Sequence, residues 1–203
     1  MLARRALYAV AAVAVAVATP SFAAESGEGS DEGGSRTQAM TATYDEGAGH
    51  YDGATCRRVG EPTPYVAPDT CREYYAGDAH FKGSFEGVQH FYLETWFKAD
   101  GHLGYEGTPT FEATVPGCGK GTFQIHEYDG DIDEPGADPL TGDAQGFNRW
   151  TVLPATATGD LAGRLIGGHG VNHWTQHSTR GLDFSATDGF GNGTFSGTLT
   201  CRH

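Results

Sequence analysis

Polar and apolar residues alternate along several short segments of the chain, most clearly over residues 90–100. One alternate set there is polar and aromatic and the other mostly apolar: His90, Tyr92, Glu94, Trp96 and Lys98 against Phe91, Leu93, Thr95, Phe97 and Ala99. Residues 122–128 repeat the pattern, with Thr122, Gln124, His126 and Tyr128 against Phe123, Ile125 and Glu127. Because successive side chains of a strand point to opposite faces of a sheet, this period of two predicts β-strands.

Runs of this kind recur about eight times between residues 79 and 201, separated by turns that contain Gly, Asp and Pro. No segment beyond residue 23 sustains apolar residues at helical spacing. The pattern predicts an all-β fold, and we favour an antiparallel closed barrel of about eight strands over a sandwich. The face of each strand that lines the interior stays open, because both faces carry aromatic side chains.

The first 40 residues have a different character. Residues 1–23 contain two arginines, then an apolar run, then the small-residue sequence SFA. This order predicts a signal peptide that is cleaved after Ala23, and the apolar run is too short for a membrane span. Residues 24–40 are mainly Gly, Ser and acidic residues, which predict a disordered linker. We therefore expect a secreted, extracellular protein with one barrel domain over residues 41–203.

The formal net charge of -13 argues against two classes of partner. Nucleic acids and anionic membrane surfaces both attract patches of Lys and Arg, so we expect neither as a partner. A small-molecule ligand stays open as a partner, and the sequence leaves the oligomeric state open.

Four cysteines, Cys56, Cys71, Cys118 and Cys201, occur without a C-x-x-C motif. In an exported chain this favours disulfides over a zinc or thioredoxin-type site. Of the alternative pairings that four cysteines allow, we favour Cys56–Cys71 and Cys118–Cys201. The second bridge would tie the last strand to a turn inside the domain.

Three segments carry a resemblance: FKGSFEGVQHFYLETWFKADGHLGYEG from Phe81, GKGTFQIHEYDG from Gly119, and WTVLPATATGDLAGRLIGGHG from Trp150. They resemble a family of small bacterial barrel proteins of unassigned function, related in fold to the allene oxide cyclase, calycin-like barrel. The resemblance implies a barrel of about eight strands and does not imply allene oxide cyclase activity. The chain differs from the family in an insertion bounded by cysteines at 56–71, an acidic loop at 129–146, and a C-terminal extension.

His169, His173 and His177 stand four residues apart, a spacing that would suit a metal site on a helix. The surrounding glycines favour a strand instead, in which residues four apart are separated by about 13 Å. Zinc–nitrogen bonds are only about 2 Å long. Neighbouring histidines of this row therefore cannot share an ion, and we predict no metal site and no cofactor.

Asp129, Asp131 and Asp133 begin like a calcium-binding loop. An EF-hand loop would require Gly at its sixth position and Glu at its twelfth, where this chain has Glu134 and Leu140. An EF-hand is excluded, whereas weak calcium binding by residues 129–138 stays open.

The alternating strands supply the candidate site residues. If their polar sets line a pocket, Glu94, His126 and His90 are candidates for acid–base catalysis, and the ligand contacts would be Tyr92, Trp96, Gln124 and Tyr128. If the apolar sets fill the interior, these residues only contact solvent. No motif of a hydrolase, metalloprotease or nucleotide-binding enzyme is present, so whether the protein is an enzyme stays open.

We favour a secreted barrel that binds a small, partly apolar molecule, since a barrel of about eight strands can hold one small ligand. A second hypothesis is an isomerase or cyclase that shapes a reactive substrate in the barrel, with Glu94 and His126 as its catalytic residues. The third is an extracellular interaction or inhibitor protein that acts through the proline-stiffened loop 56–71.

Overall fold

The computed structural model describes residues 34–46, 50–52, 72–97, 102–134, 143–178 and 189–203. The predicted signal peptide and the whole 56–71 insertion, with Cys56 and Cys71, lie outside the described residues. The described residues form an all-β structure of ten strands and two short 3-10 helices. No described helix is long and apolar enough to cross a membrane.

The strands occur in the following order: β1 Ser35–Glu46, β2 His50–Asp52, β3 Arg72–Gly83, β4 Glu86–Phe97, β5 Leu103–Gly107, β6 Thr110–Val115, β7 Gly119–Ile132, β8 Asp143–Leu153, β9 Leu165–Ser178 and β10 Gly189–Arg202. The 3-10 helices, Pro154–Thr156 and Gly159–Leu161, lie between β8 and β9. Every strand pairing is antiparallel, and the pairing of β1 with β10 closes the ring.

Ten strands make an eight-stranded barrel because two positions of the ring are interrupted. β1 and β2 both pair with β3, and β5 and β6 both lie between β4 and β7. Pro109, between β5 and β6, has no N–H to donate and so breaks the ladder. Its carbonyl oxygen still accepts a hydrogen bond from the Ile125 amide at 3.2 Å. The predicted closed antiparallel barrel is confirmed.

The apolar sets of the alternating strands face the interior. Phe91 and Thr95 on β4 are buried, as are Phe123 and Ile125 on β7. One end of the barrel is packed with aromatic rings whose neighbouring centroids lie 5.0–6.0 Å apart, those of Phe81, Phe85, Phe111, Phe123, Trp150 and Phe195. These rings pack with buried aliphatic side chains, among them Met40, Val152 and Leu199, and form the hydrophobic core of the protein.

The start of β1 differs from the sequence-based expectation. Residues 35–40, which we assigned to the disordered linker, form the first half of β1. Ser35, Arg36 and Thr37 are exposed, so burial does not account for their structure. They pair instead with the end of β10, from Arg202 to Thr200. Backbone hydrogen bonds to a distant strand therefore extend β1 into a segment whose composition predicts disorder.

Cys118 and Cys201 form a disulfide with their Cα atoms 5.4 Å apart, which confirms this predicted pair. The bridge joins the turn between β6 and β7 to the end of β10, and both cysteines are buried. Because it spans 83 residues, the chain-entropy relation gives a stabilisation of about 4.5 kcal/mol. The bridge lies at the apolar end of the barrel.

Candidate functional site

A cavity occupies the end of the barrel opposite the packed aromatic rings. It is narrow, with a volume of about 70 Å³, and is partly open to solvent. Its polar lining includes Tyr44, Glu46, Tyr75, Gln89, Glu127 and Asn172.

The two-residue period of the strands brings these side chains together. Tyr44 and Glu46 are alternate residues at the end of β1, and Gln89 begins the inward-facing row of β4 that continues through Phe91. On β9, Asn172 begins a similar inward row that leads toward the mouth. Neighbouring strands are antiparallel, so every second strand around the ring runs in the same direction. β1, β4, β7 and β9 are such alternate strands, and their C-terminal ends therefore meet at one end of the barrel.

Glu127 lies deepest among the cavity carboxyls, with only 3% of its surface exposed. Gln89 donates a hydrogen bond from Nε2 to Oε1 of Glu127 at 2.7 Å. Burial raises the pKa of Glu127 to about 7, although the hydrogen bond from Gln89 acts in the opposite direction. Near neutral pH this carboxyl therefore exchanges between its charged and neutral forms.

Glu46 is the second carboxyl of the cavity. Burial raises its pKa to about 7, opposed by a hydrogen bond from Tyr75 and reinforced by the charge of Glu127. Gln176 donates a hydrogen bond to the Tyr75 hydroxyl at 3.1 Å and so completes a chain to the carboxyl. Although the residue is partly exposed, Oε1 of Glu46 is buried and has no hydrogen-bond partner.

A network of amides and hydroxyls forms the wall beside these carboxyls. The Tyr105 hydroxyl donates to Oδ1 of Asn148 at 3.1 Å and itself accepts a hydrogen bond from Nε1 of Trp174. Asn172 donates from Nδ2 to the same Asn148 oxygen at 2.9 Å. Oδ1 of Asn172 has no partner, although only 6% of the residue is exposed. Burial also raises the pKa values of Tyr44 and Tyr105, so both hydroxyls stay protonated.

The site can therefore bind hydrogen-bond donors or exchange protons. Glu46 and Asn172 each present a buried acceptor oxygen without a partner, and buried polar atoms in proteins are otherwise nearly always paired. Two carboxyls that titrate near neutral pH are also suited to general acid–base chemistry. No Lys, Arg or His is found among the cavity-lining residues in the described part of the chain.

The three sequence-predicted catalytic residues lie on the outer face of the barrel. His90 is exposed, with Nδ1 2.6 Å from Oδ1 of Asp78. His126 is exposed and stacks on Tyr128, with ring centroids 5.2 Å apart. Glu94 is half-buried and does not line the cavity. The structure does not bring these three residues together in the lumen, and their catalytic roles stay predictions.

The four predicted ligand contacts are on the same outer face. Tyr92 is 52% exposed and stacks on Tyr74 at a centroid distance of 4.9 Å. Gln124 donates to the Thr110 hydroxyl at 3.2 Å. Tyr128 and Trp96 are half-buried, and neither lines the cavity. Their ligand-binding role also stays a prediction.

The sequence carried a signal for one cavity carboxyl that we missed. Glu127 follows Phe123 and Ile125 at spacing two, so a charged residue stands where the strand pattern requires an apolar one. A carboxyl at such a position must be buried with partners, and this marks it as a candidate functional group. Glu46 carries no such signal, because the run before it is short.

The histidine and aspartate motifs do not assemble a metal site within the described ranges. His169 and His173 are exposed on β9, where His177 also belongs. Asp131 contacts His102 at 2.9 Å, and Asp129 lies 3.8 Å from Arg149. Among the described residues, no three His, Cys, Asp or Glu side chains are grouped as they would be around an ion.

Comparison with known proteins does not assign the chain to a family. No protein-family model matches the chain, and no curated protein is significantly similar to it. The eight-stranded barrel implied by the resemblance is present, whereas the allene oxide cyclase-like family itself stays a prediction. Function must therefore be argued from the cavity.

Proposed function

We propose that the protein binds a small, partly apolar molecule in the open end of the barrel. The observation that carries the proposal is the pair of unpartnered buried oxygens, Oε1 of Glu46 and Oδ1 of Asn172, on the cavity wall. Leaving a buried polar atom unpaired costs about 1–3 kcal/mol. A ligand that donates hydrogen bonds to these oxygens would recover that energy, while its apolar part contacts Phe91, Leu93 and Leu103.

We also propose that the protein works outside the cell. The Cys118–Cys201 disulfide supports this location, because such bridges persist in oxidising compartments. The signal-peptide pattern of residues 1–23 supports it independently. Mass spectrometry of the protein from its native host, in medium and in cells, tests the location through the cleaved mass.

Native mass spectrometry of protein isolated from its own host tests ligand binding. The expected result is a small-molecule adduct that is lost on denaturation. Leu93→Trp should abolish the adduct, because the larger side chain fills the cavity that Leu93 lines. Tyr92→Trp places an indole on the outer face one residue away and should retain it. A bare polypeptide mass, or an adduct that survives Leu93→Trp, would refute binding in the cavity.

A second candidate is an isomerase or cyclase, favoured by the two cavity carboxyls whose pKa values are raised to about 7. General acids and bases work best when their pKa lies near the operating pH. Incubating the compound recovered from the adduct with wild-type protein and with Glu127→Gln tests this candidate. Conversion to an isomer by wild type alone would support it, and recovery of the unchanged compound from both would count against it.

A further inference from the structure

We infer that the cavity selects a small organic cation, a protonated amine carried on an aromatic or branched aliphatic body. The inference rests on the proposed function and names the ligand class of the same site. Its basis is the combination of two carboxyls, unpartnered acceptor oxygens and aromatic rings in one narrow cavity.

The polar atoms that lack partners in this cavity are of one kind. Oε1 of Glu46 and Oδ1 of Asn172 are both acceptors, so they require a donor from the ligand. An ammonium group has three donors and no acceptor, and it matches such a wall better than a hydroxyl does. An anionic ligand would leave both oxygens unpaired.

The charge balance of the cavity also favours a cation. Glu46 and Glu127 line the same space, and no basic side chain lines it within the described residues. The charge of Glu127 contributes to the raised pKa of Glu46, because two carboxylates that line one cavity repel each other. A positive charge between them would reverse that repulsion and favour the charged form of each.

The apolar part of the lining sets the body of the ligand. Phe91, Leu93 and Leu103 face the cavity, together with the rings of Tyr105 and Trp174. Aromatic faces attract cations, and indole does so most strongly. A hydrated divalent metal ion would prefer about six to eight oxygen ligands and would gain nothing from these side chains. The lining therefore favours an amine with an apolar body over a metal ion.

The position of the Glu46 carboxylate is specified by its surroundings. It lies directly over Gly191 on β10, where a methyl group would overlap Oε2. The absence of a side chain at residue 191 thus provides the space in which the carboxylate sits. Tyr75 holds the same carboxyl by a hydrogen bond. The hydrogen bond from Tyr75 and the burial of Oε1 therefore restrict the orientation of this carboxylate.

Calorimetry with three probes of similar shape tests the inference at about pH 8, where both cavity carboxyls are mostly charged. The probes are 2-phenylethylamine, which is cationic, 2-phenylethanol, which is neutral, and 3-phenylpropanoate, which is anionic. Each is titrated into wild type, into the double variant Glu46→Gln, Glu127→Gln, and into Glu112→Gln. Glu112 is an exposed carboxylate on β6, so its replacement is a matched control for the loss of charge.

We expect wild type to bind the amine at least about tenfold more tightly than the alcohol, and the propanoate most weakly. The double variant should reduce the preference for the amine to below about threefold, while Glu112→Gln preserves it. Equal or tighter binding of the alcohol or the propanoate would overturn the cation inference and leave small-molecule binding intact. An amine preference that survives in the double variant would also overturn it, since the amine would then be held elsewhere on an acidic surface.

Failure of all three probes to bind overturns the inference as well. Native mass spectrometry of Leu93→Trp and Tyr92→Trp then decides separately whether the proposed function fails with it. An adduct that is lost only in Leu93→Trp would preserve ligand binding for a compound of another class.

Discussion

Replacing Glu127 with Gln removes an ionisable group from the barrel interior and retains the oxygen that accepts the hydrogen bond from Gln89. The substitution is close to isosteric, so packing at this buried position should change little. What changes is the proton equilibrium, because Gln cannot ionise. The difference between the two proteins therefore isolates the free energy associated with charging one buried carboxyl.

The sign of the effect follows from the raised pKa. Burial raises the Glu127 pKa from 4.5 to about 7, so the folded protein retains a proton that the unfolded chain releases. The resulting stabilisation is fully present below pH 4.5 and is lost as the pH rises through 7. A difference of about 2.5 pH units, at about 1.36 kcal/mol per unit, gives a loss of about 3 kcal/mol. Glu127→Gln should not show this loss.

Urea unfolding of both proteins between about pH 4.5 and pH 8.5 measures the effect. The unfolding free energy of Glu127→Gln relative to wild type should rise by about 3 kcal/mol from the acid to the alkaline end. Glu112→Gln, which changes an exposed carboxylate, is the matched control for replacing a Glu with Gln on this fold. A pH-independent difference for Glu127→Gln, or one that falls with pH, would refute the assignment of a buried, protonated carboxyl.

Three further substitutions test other parts of the barrel. Gly191→Ala should lower the unfolding free energy by about 1 kcal/mol in urea unfolding, because a methyl group would overlap Oε2 of Glu46 and force this flexible side chain into a less favourable rotamer. Replacing Cys118 and Cys201 together by Ala should cost up to about 4.5 kcal/mol, measured by the same method, because the long loop is no longer closed. Phe111→Ala should cost about 3–5 kcal/mol in thermal or urea unfolding, since the ring is 1% exposed at the centre of the aromatic cluster.

The Gly191 and Phe111 substitutions each have a control variant on the same fold. Gly167→Ala places a methyl group in open space and should have little effect, so equal losses at residues 167 and 191 would contradict the overlap with Glu46. Tyr92→Ala removes an exposed ring and should cost far less than Phe111→Ala. An unchanged unfolding midpoint in the double cysteine variant would show that the Cys118–Cys201 bridge adds no stability.

The fold could be predicted from the sequence because the local alternation of polar and apolar residues is the pattern that the strands of a barrel require. Residues 122–128 predict a strand from their period alone, and they lie within β7. The period does not say which set faces inward, and this choice decided the site. Glu94 and Glu127 both lie on strands in which polar and apolar residues alternate. Glu127 is on the same face of β7 as the buried Phe123 and Ile125 and lines the cavity, whereas Glu94 does not.

The remainder of the site depends on contacts between residues that are distant in the chain. Glu46 and Glu127 line one cavity only because the ring of strands closes and brings β1 opposite β7. Local sequence also failed at residues 35–40, which become a strand through pairing with β10. The shared cavity and the β1–β10 pairing both result from closure of the ring, so no local segment of the sequence could predict them.

The pairing of β1 with β10 has a consequence for how the protein folds during synthesis. Ser35 pairs with Arg202, so the contact that closes the ring joins segments separated by most of the polypeptide. While β10 is still inside the ribosome, β1 and β9 each present an open edge and the aromatic cluster lacks Phe195. Contacts of such high sequence separation form slowly, because a long loop must close first. The nascent chain therefore stays without its final fold until β10 has emerged and both edges are paired.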